Sequence, residues 1–497
     1  MKHFSYGDSE PIAALATPLG ESALAVIRTS GGTAGATDSI ASAGNNGTAS
    51  AIGLIALVFS RPKNIKTALG NTVIHGWITD PITGKKIDEV LVSVFRSPKS
   101  YTGEDCVDIF CHGSIAVIKA IMTALKAVGF RDALPGEFSF RAFMNSKLDL
   151  TRAESVMELV CAKTNTGREQ AVRRLSGILE KEINEIKNLL TDVLAGTEIY
   201  LDYSEDEFSG VSADEQAGRL PDKDLAQTAL EKLQLLVSLW KQERIYSEGA
   251  LAVIAGRPNA GKSSLFNYLI REDRSIVTNT PGTTRDWIEA LIAVEDIPLR
   301  LADTAGLRDL GKESDEAEQL GIKRTFELLD TSDLVLYIID GVKGIDLEDR
   351  NYIKKFKETN PEKILLLIWN KADLAKPPLH DLSVLLPLSA KTGEGITELL
   401  CAIADHLKKG SSSRDIGHAF SESPDSAAGP GTVRQKELIE QALISTQEAL
   451  ALSDNGEPLD IIAPLFRTAI DSLGEITGEV STDDILEKMF SRFCVGK

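Results

Sequence analysis

Residues 251–264 read LAVIAGRPNAGKSS, and the fold of the middle of the chain follows from them. The stretch opens on an unbroken apolar run, the mark of a strand buried on both faces. GRPNAGKS then satisfies GxxxxGKS, and residues 265–270 (LFNYLI) continue at helical spacing. Strand, glycine-rich turn and helix in that order make a P-loop. Gly256 and Gly261 let backbone N–H groups wrap phosphates at a helix N-terminus, Lys262 supplies charge to the β and γ phosphates, and the Ser263 hydroxyl is suited to ligating Mg²⁺. A glycine turn that merely joined packed elements would leave the Lys-Ser pair unexplained.

Further segments follow in the order a GTPase requires. Residues 300–306, RLADTAG, end a strand on DxxG: Asp303 would reach Mg²⁺ through water and the Gly306 amide would meet the γ-phosphate, with Thr304 and Ala305 between them. Asn370, Lys371, Ala372 and Asp373 follow the apolar run 364–369, and a carboxylate at Asp373 accepts from both N1–H and the 2-amino group of guanine, a pair adenine lacks. Ser389, Ala390 and Lys391 follow the strand-like run 384–388 and resemble a base loop that donates backbone N–H groups. Between the P-loop and DxxG lies TNTPGTTRD, residues 278–286. The nucleotide contacts expected are therefore Asn259, Ala260, Gly261, Lys262, Ser263 and Ser264; Thr278, Asn279, Thr280, Pro281, Gly282, Thr283 and Thr284; and the three later motifs. Ras-type GTPases place a water-orienting glutamine directly after DTAG. Here that position is Leu307, so another polar group is needed, and Glu313, Asp315, Glu316 and Glu318 follow.

Working outward, alternating strand and helix patterns fill residues 250–408. Upstream, Leu175, Ile178, Leu179, Ile183, Ile186, Leu190 and Val193 form an i, i+3, i+4 stripe that predicts one long amphipathic helix. An acidic loop (202–215) with six carboxylates and no Lys or Arg comes next, then a helix over 222–244. Downstream, a Ser/Gly/Pro-rich connector (410–431) leads to three helical stretches, the last with Ser481 or Thr482 as N-cap. The first 145 residues read as α+β, with strands over 23–28, 72–78 and 89–95 and a flexible Gly/Ala/Ser/Thr/Asn stretch over 31–50. The expected fold class is a multidomain α/β protein: an α+β N-terminal domain, a discontinuous α-helical domain, and a Ras-like P-loop GTPase α/β domain inserted into the helices, with the two ends of the insert close together.

Composition bounds the alternatives. Of 497 residues, 43% are hydrophobic, and 54 Lys and Arg face 73 Asp and Glu for a net charge of −19. That length suggests about three domains at roughly 100–200 residues each. Five cysteines at irregular spacing, without CxxC, speak for reduced thiols rather than a disulfide scaffold. Cys494 stands four from the C-terminus, but the Val-Gly-Lys after it is a poor prenylation signal. Apolar runs such as 334–339 fall far short of a membrane span, and the N-terminus lacks a signal-peptide core, so a cytoplasmic location is expected. The acidic excess argues against a surface that grips nucleic acid throughout.

GRPNAGKSSLFN, TPGTTRD, DTAGLR and NKAD, together with SYTGEDCVDIFCHGS, PGEFSFRAFMNSKLDLTRAESV and the terminal SRFCVGK, closely resemble the tRNA modification GTPase MnmE (TrmE) family, within the TrmE-Era class of P-loop GTPases. The resemblance spans nearly the whole chain. It implies a dimerising N-terminal domain similar to folate-binding aminomethyltransferase domains (1–145), a first segment of the helical domain (146–247), a TrmE-type G domain (248–408), and a linker followed by the second helical segment with the FCVGK motif (409–497). It implies a K⁺ ion at Asn259, Thr278, Thr280 and Thr283, Mg²⁺ at Ser263 and Thr284, and Glu318 polarising the attacking water. Between DTAGLR and that glutamate the chain is a few residues longer than usual, and Glu318 is chosen over Glu316. A folate, 5-formyl- or 5,10-methylene-tetrahydrofolate, would be held by Arg28, Glu104, Lys147 and Lys497. The implied activity is K⁺-stimulated GTP hydrolysis by a homodimer. With the flavoprotein MnmG (GidA) in a heterotetramer, it forms the carboxymethylaminomethyl group at carbon 5 of the wobble uridine of certain tRNAs. Two alternatives share the G domain: a ribosome-assembly GTPase of the Era/EngA type, and a regulatory GTP switch without folate chemistry.

Overall fold

A computed structural model of the chain describes residues 6, 10–32, 50–202, 220–271, 289–303, 329, 331–361, 363–378, 385–410, 428–480 and 483–496. Most of the low-complexity stretch, of the acidic loop and of the connector, and the Ser481/Thr482 cap, lie outside these residues. The chain divides into two compact units, one of Met1–Met157 with Ile470–Lys497, the other of Glu158–Ala469.

The first unit is built on a six-stranded sheet of β1 (Ile12–Leu15), β2 (Ser22–Ser30), β3 (Thr72–Thr79), β4 (Lys86–Phe95), β5 (Cys106–Gly113) and β6 (Arg131–Asp132), in the order β3-β4-β5-β2-β1-β6. All neighbours are antiparallel except β1 and β6. Period-two alternation sends Val90, Val92 and Val94 to one face, where they pack with Ile118, Ile121 and Leu125 of the helix Ile115–Ala127. A separate aromatic cluster joins the helix Glu137–Met144 to the C-terminal helix Asp483–Phe490: Phe490 is fully buried and meets Phe140 edge-on at 5.5 Å between centroids.

The second unit holds another six-stranded sheet, of β7 (Ala250–Gly256), β8 (Glu289–Val294), β9 (Ile297–Asp303), β10 (Leu334–Asp340), β11 (Ile364–Asn370) and β12 (Leu385–Pro387), ordered β12-β11-β10-β7-β9-β8. Only β8 runs antiparallel to its neighbour. Both faces are covered, which is why its strands read as unbroken apolar runs: Leu334, Leu336 and Ile338 enter one core, Val335, Tyr337 and Ile339 the other. β7 lies between β9 and β10, where the strand order reverses. In open α/β sheets the carboxyl ends at such a switch point form the ligand crevice.

The helices of this unit bury the expected stripe, with Leu179, Ile183, Ile186, Leu190 and Val193 all inaccessible to solvent. The stripe does not lie on one helix, however. Asn165–Leu175 ends before Ile178–Asp202 begins, and Gly177 between them takes a left-handed φ of 89° that a continuing helix would not allow. Arg174, 1% exposed, sits at that break and pairs with Glu158 (2.7 Å) and Glu243 (2.7 Å). Burial pushes the Glu243 carboxyl above its ordinary value, with Arg174 pulling the other way. Glu243, on the helix Lys223–Ser247 that leads into β7, also accepts from the Gly429 amide at 3.2 Å. The chain that departs for the sheet and the chain that returns from it therefore meet. No described helix is long and apolar enough to cross a membrane.

Candidate nucleotide site

The P-loop occupies the turn between β7 and the helix Lys262–Arg271. Gly256 (φ 143°) lies so close to β10 that a Cβ would fall 2.4 Å from the Ile338 carbonyl, and a Cβ on Gly261 (φ 99°) would fall 2.1 Å from Asn370 Nδ2. These two glycines are demanded by close backbone approach as well as by φ. Asn259 is also left-handed (φ 65°), a conformation asparagine tolerates, and its side chain is exposed.

Lys262 is nearly buried, its ammonium donating to the carbonyls of Gly256 (3.0 Å) and Arg257 (2.9 Å) across the mouth of the loop. Ser263 Oγ donates to Asp303 Oδ2 at 2.9 Å, which brings the first turn of the loop helix to the carboxyl end of β9. A hydroxyl beside a carboxylate is the hard-oxygen donor set Mg²⁺ accepts, so these two residues fit such an ion, directly or through water. Among the described residues no three His, Cys, Asp or Glu side chains gather as a metal site, so a cation here would also draw on phosphate, hydroxyl or water oxygens.

Two side chains, Asn370 and Lys371, tie the end of β11 to the P-loop. Asn370, 3% exposed at the end of β11, donates Nδ2 to the Ala260 carbonyl (2.8 Å), and its Oδ1 accepts from the amides of Lys371 (2.8 Å) and Ala390 (3.0 Å). Lys371 Nζ reaches the Asn259 carbonyl (3.3 Å) and Asp340 Oδ2 (2.7 Å). Burial pushes the Asp340 carboxyl up, but hydrogen bonds from Lys371 and Val342 outweigh it and hold the group below the usual carboxylate range. Ala372 donates to the Leu388 carbonyl (3.0 Å), Ser389 and Ala390 are buried, and Asp373 and Lys391 are exposed at the rim. The role of Asn370 as a brace between loops, as opposed to a base contact, has no signature in NKAD itself. Ser264, on the first turn of the loop helix, is exposed.

Thr278, Asn279, Thr280, Pro281, Gly282, Thr283, Thr284, Thr304, Ala305, Gly306, Glu318 and Lys497 lie outside the described residues. Of the K⁺ set only Asn259 is described, and of the Mg²⁺ pair only Ser263.

The candidate folate residues occupy the first unit. Arg28 on β2 faces Asp108 on β5 (3.4 Å), donates to the Gly496 carbonyl (3.2 Å), and places its guanidinium 5.7 Å from the Tyr101 ring centre. Glu104 accepts from Ser30 (2.7 Å) and Arg141 (3.0 Å), and Lys147 donates to the Pro98 carbonyl (2.9 Å). Arg28 is thus beside the C-terminal tail and Glu104 beside Ser30, two positions along the same strand. Cys494 has an exposed side chain; its carbonyl accepts from the Gly136 amide at 3.3 Å. Sequence reasoning missed the buried group beneath: fully enclosed Glu137 accepts from Arg131 (2.5 Å), Arg141 (2.9 Å) and the Leu134 amide (2.8 Å). Its signal was present in PGEFSFR, where a Glu and an Arg four residues apart interrupt an otherwise apolar short helix.

Residues 11–147 match the protein family described as "GTP-binding protein TrmE N-terminus", and residues 150–494 the family described as "MnmE helical domain". The chain is similar to the tRNA modification GTPase MnmE of Treponema denticola, at 41% identity over 99% of both chains. It is also similar to the protein of that name from Carboxydothermus hydrogenoformans, at 36% identity over 98% of this chain and 99% of the other. Among solved structures, the G domain of the T. maritima FeoB iron transporter is similar over 33% of this chain and 99% of its own, at 26% identity and a TM-score of 0.24.

Proposed function

The chain belongs to the MnmE family of tRNA modification GTPases and is a GTP hydrolase of tRNA modification, and from that premise we propose that it is K⁺-stimulated and Mg²⁺-dependent and works as a cytoplasmic homodimer with the flavoprotein MnmG. The product is the carboxymethylaminomethyl group at carbon 5 of the wobble uridine. The division proposed is an N-terminal folate-binding-like domain (1–145), two helical segments (146–247 and 409–497) and a G domain (248–408).

The observation that carries the GTPase reading is the bonded path from Asp303 through Ser263 and the P-loop to Asn370 and Ala390. Lys262 would exchange its two loop carbonyls for phosphate oxygens, and the backbone around Gly261 would offer N–H groups to the same anion. Asp373 selects guanine, and Glu318 orients the attacking water. A K⁺ ion beside Asn259, Thr278, Thr280 and Thr283 would supply positive charge against the transferring phosphoryl group, and Mg²⁺ at Ser263 and Thr284 would neutralise the β and γ oxygens. Arg28, Glu104, Lys147 and Lys497 would hold the folate. The Arg28 guanidinium beside Tyr101 and the Gly496 carbonyl supports an anionic or planar partner there.

The test is GTP turnover by the full chain in KCl against NaCl at matched ionic strength. Turnover about a hundredfold faster in KCl is expected, on the scale of a displaced oxyanion donor; equal rates in the two salts would end the K⁺ reading. Loss of tRNA modification with intact GTP turnover in Arg28→Ala separates the folate role from a bare GTP switch.

A further inference from the structure

The turn between β8 and β9 is the unusual feature of the second unit. Tight hairpins that need left-handed residues favour Asn-Gly, yet Glu295 (φ 46°) and Asp296 (φ 67°) occupy this one. Two non-glycine residues in that region persist when surrounding contacts over-determine the backbone. Those contacts are specific. Asp296 Oδ1 accepts from the Asn165 amide (2.9 Å), and Oδ2 accepts from the Thr166 amide (2.6 Å) and the Thr166 hydroxyl (2.5 Å). Thr164 Oγ1 takes the next amide, that of Gly167 (3.2 Å). The first three N–H groups of the helix Asn165–Leu175 are thereby satisfied, two of them by a residue about 130 positions away in the chain. On the other side of the turn, Lys408 Nζ pairs with Glu295 at 2.9 Å.

The hairpin leads straight to the nucleotide end of the sheet. β9 starts at the residue after Asp296 and ends at Asp303, the acceptor of Ser263. From Leu299 to Ala302 it is paired on both sides, with β7 continuing the pairing to Asp303 opposite Ile254 and β8 back to Ile297 opposite Val294, and Ile297, Leu299 and Leu301 are wholly buried. A strand so held moves as a unit, not by local flexing.

We propose that Asp296 is a positioning residue that locks the β8–β9 hairpin onto the N-terminus of the helix Asn165–Leu175, so that GTP and GDP at the far end of β9 order that helix end differently. The structural carrier is β9 itself, with Asp303 at one end and the Asp296 carboxylate at the other. By reciprocity, removing the lock changes the preference for GTP over GDP by the factor that the nucleotide changes the lock. The inference rests on the assignment of Ser263 and Asp303 to the nucleotide site and is independent of K⁺, folate and tRNA.

The test uses the full chain with Mg²⁺ and either GDP or a non-hydrolysable GTP analogue. Amide exchange is followed at residues 165–167, and the ratio of the two affinities by calorimetry, in the wild type, Asp296→Asn and Thr166→Val. Exchange at 165–167 is expected to differ between nucleotides by about fivefold or more, and Asp296→Asn to abolish that difference and move the affinity ratio by a similar factor, within the usual range of coupling between sites. Thr166→Val, which keeps the backbone donors, is expected to have a smaller effect of the same sign. Identical exchange in the two nucleotide states overturns the inference. So does an Asp296→Asn chain whose helix end exchanges faster by the same factor in both states with an unchanged affinity ratio, which would make Asp296 a structural cap only. Nucleotide affinities unmoved by Ser263→Ala would overturn the site assignment and the inference together, a result distinct from either of these.

Discussion

Asn370 commits Oδ1 to two amides and one Nδ2 N–H to the Ala260 carbonyl, and in the proposed reading its neighbour Asp373, at the rim, selects guanine. A carboxylate there would accept from N1–H and the 2-amino group of guanine. An amide presents an acceptor and a donor instead, which suits a base with a carbonyl at carbon 2. Asp373→Asn is therefore expected to weaken GDP binding at least about a hundredfold and to bind xanthosine diphosphate more tightly than GDP, since polar mismatches of this kind are costly. Titration of both nucleotides measures it, and retained guanine preference would place base selection elsewhere. Asp340 gives a pH signature. Its carboxyl is held below the ordinary value in the folded chain, so the Lys371 pair contributes fully above the unfolded value of about 4 and is lost as pH falls through the lower folded one. Asp340→Asn should accordingly be less stable than the wild type near neutral pH, with the two converging in acid. Parallel acid-unfolding curves would contradict this.

Elements were legible in the sequence where their burial is local. β7, β10 and β11 are unbroken apolar runs because both faces are covered, and the alternation of β4 matches its one buried face. β6 was not legible, because two residues paired parallel to β1 leave no periodicity to read. Nor was the break at Gly177, since the apolar stripe continues in phase across it. Arg174 is enclosed between Glu158 and Glu243, a site where removing the guanidinium leaves two largely enclosed carboxylates without their shared counter-charge. Arg174→Met should cost about 3–5 kcal/mol. Adding Glu158→Gln and Glu243→Gln should restore a good part of it, because the uncompensated charge disappears with them. Amide exchange of the helix Lys223–Ser247 reports both variants, and a triple variant no more protected than the single one would show that Arg174 acts through packing and not charge.

At the scale of the whole molecule, the division of the chain cuts across its sequence: Ile470–Lys497 belongs to the same compact unit as Met1–Met157. Length and composition suggest about three successive domains, and no local pattern shows that the last helix completes the first sheet's unit, because the partners are hundreds of residues apart. The tie is aromatic. Phe490 is enclosed by Phe140, Phe143 and Phe493, and the Phe490 carbonyl lies so close to Gly136 that a Cβ there would sit 2.5 Å from it. Deleting a buried ring costs about 3–5 kcal/mol. Phe490→Ala should therefore lower the stability of the N-terminal unit by that amount and free the segment carrying Cys494 and Gly496, the latter being the carbonyl that Arg28 grips. Exchange of the β2 and β5 amides should accelerate while that of β10 and β11 holds, and GTP turnover should stay within about twofold, since Phe490 and the P-loop belong to different compact units. Equal loosening of both sheets would mean that the two units unfold together, and the tail would then be a support for the whole chain instead of a component of one unit.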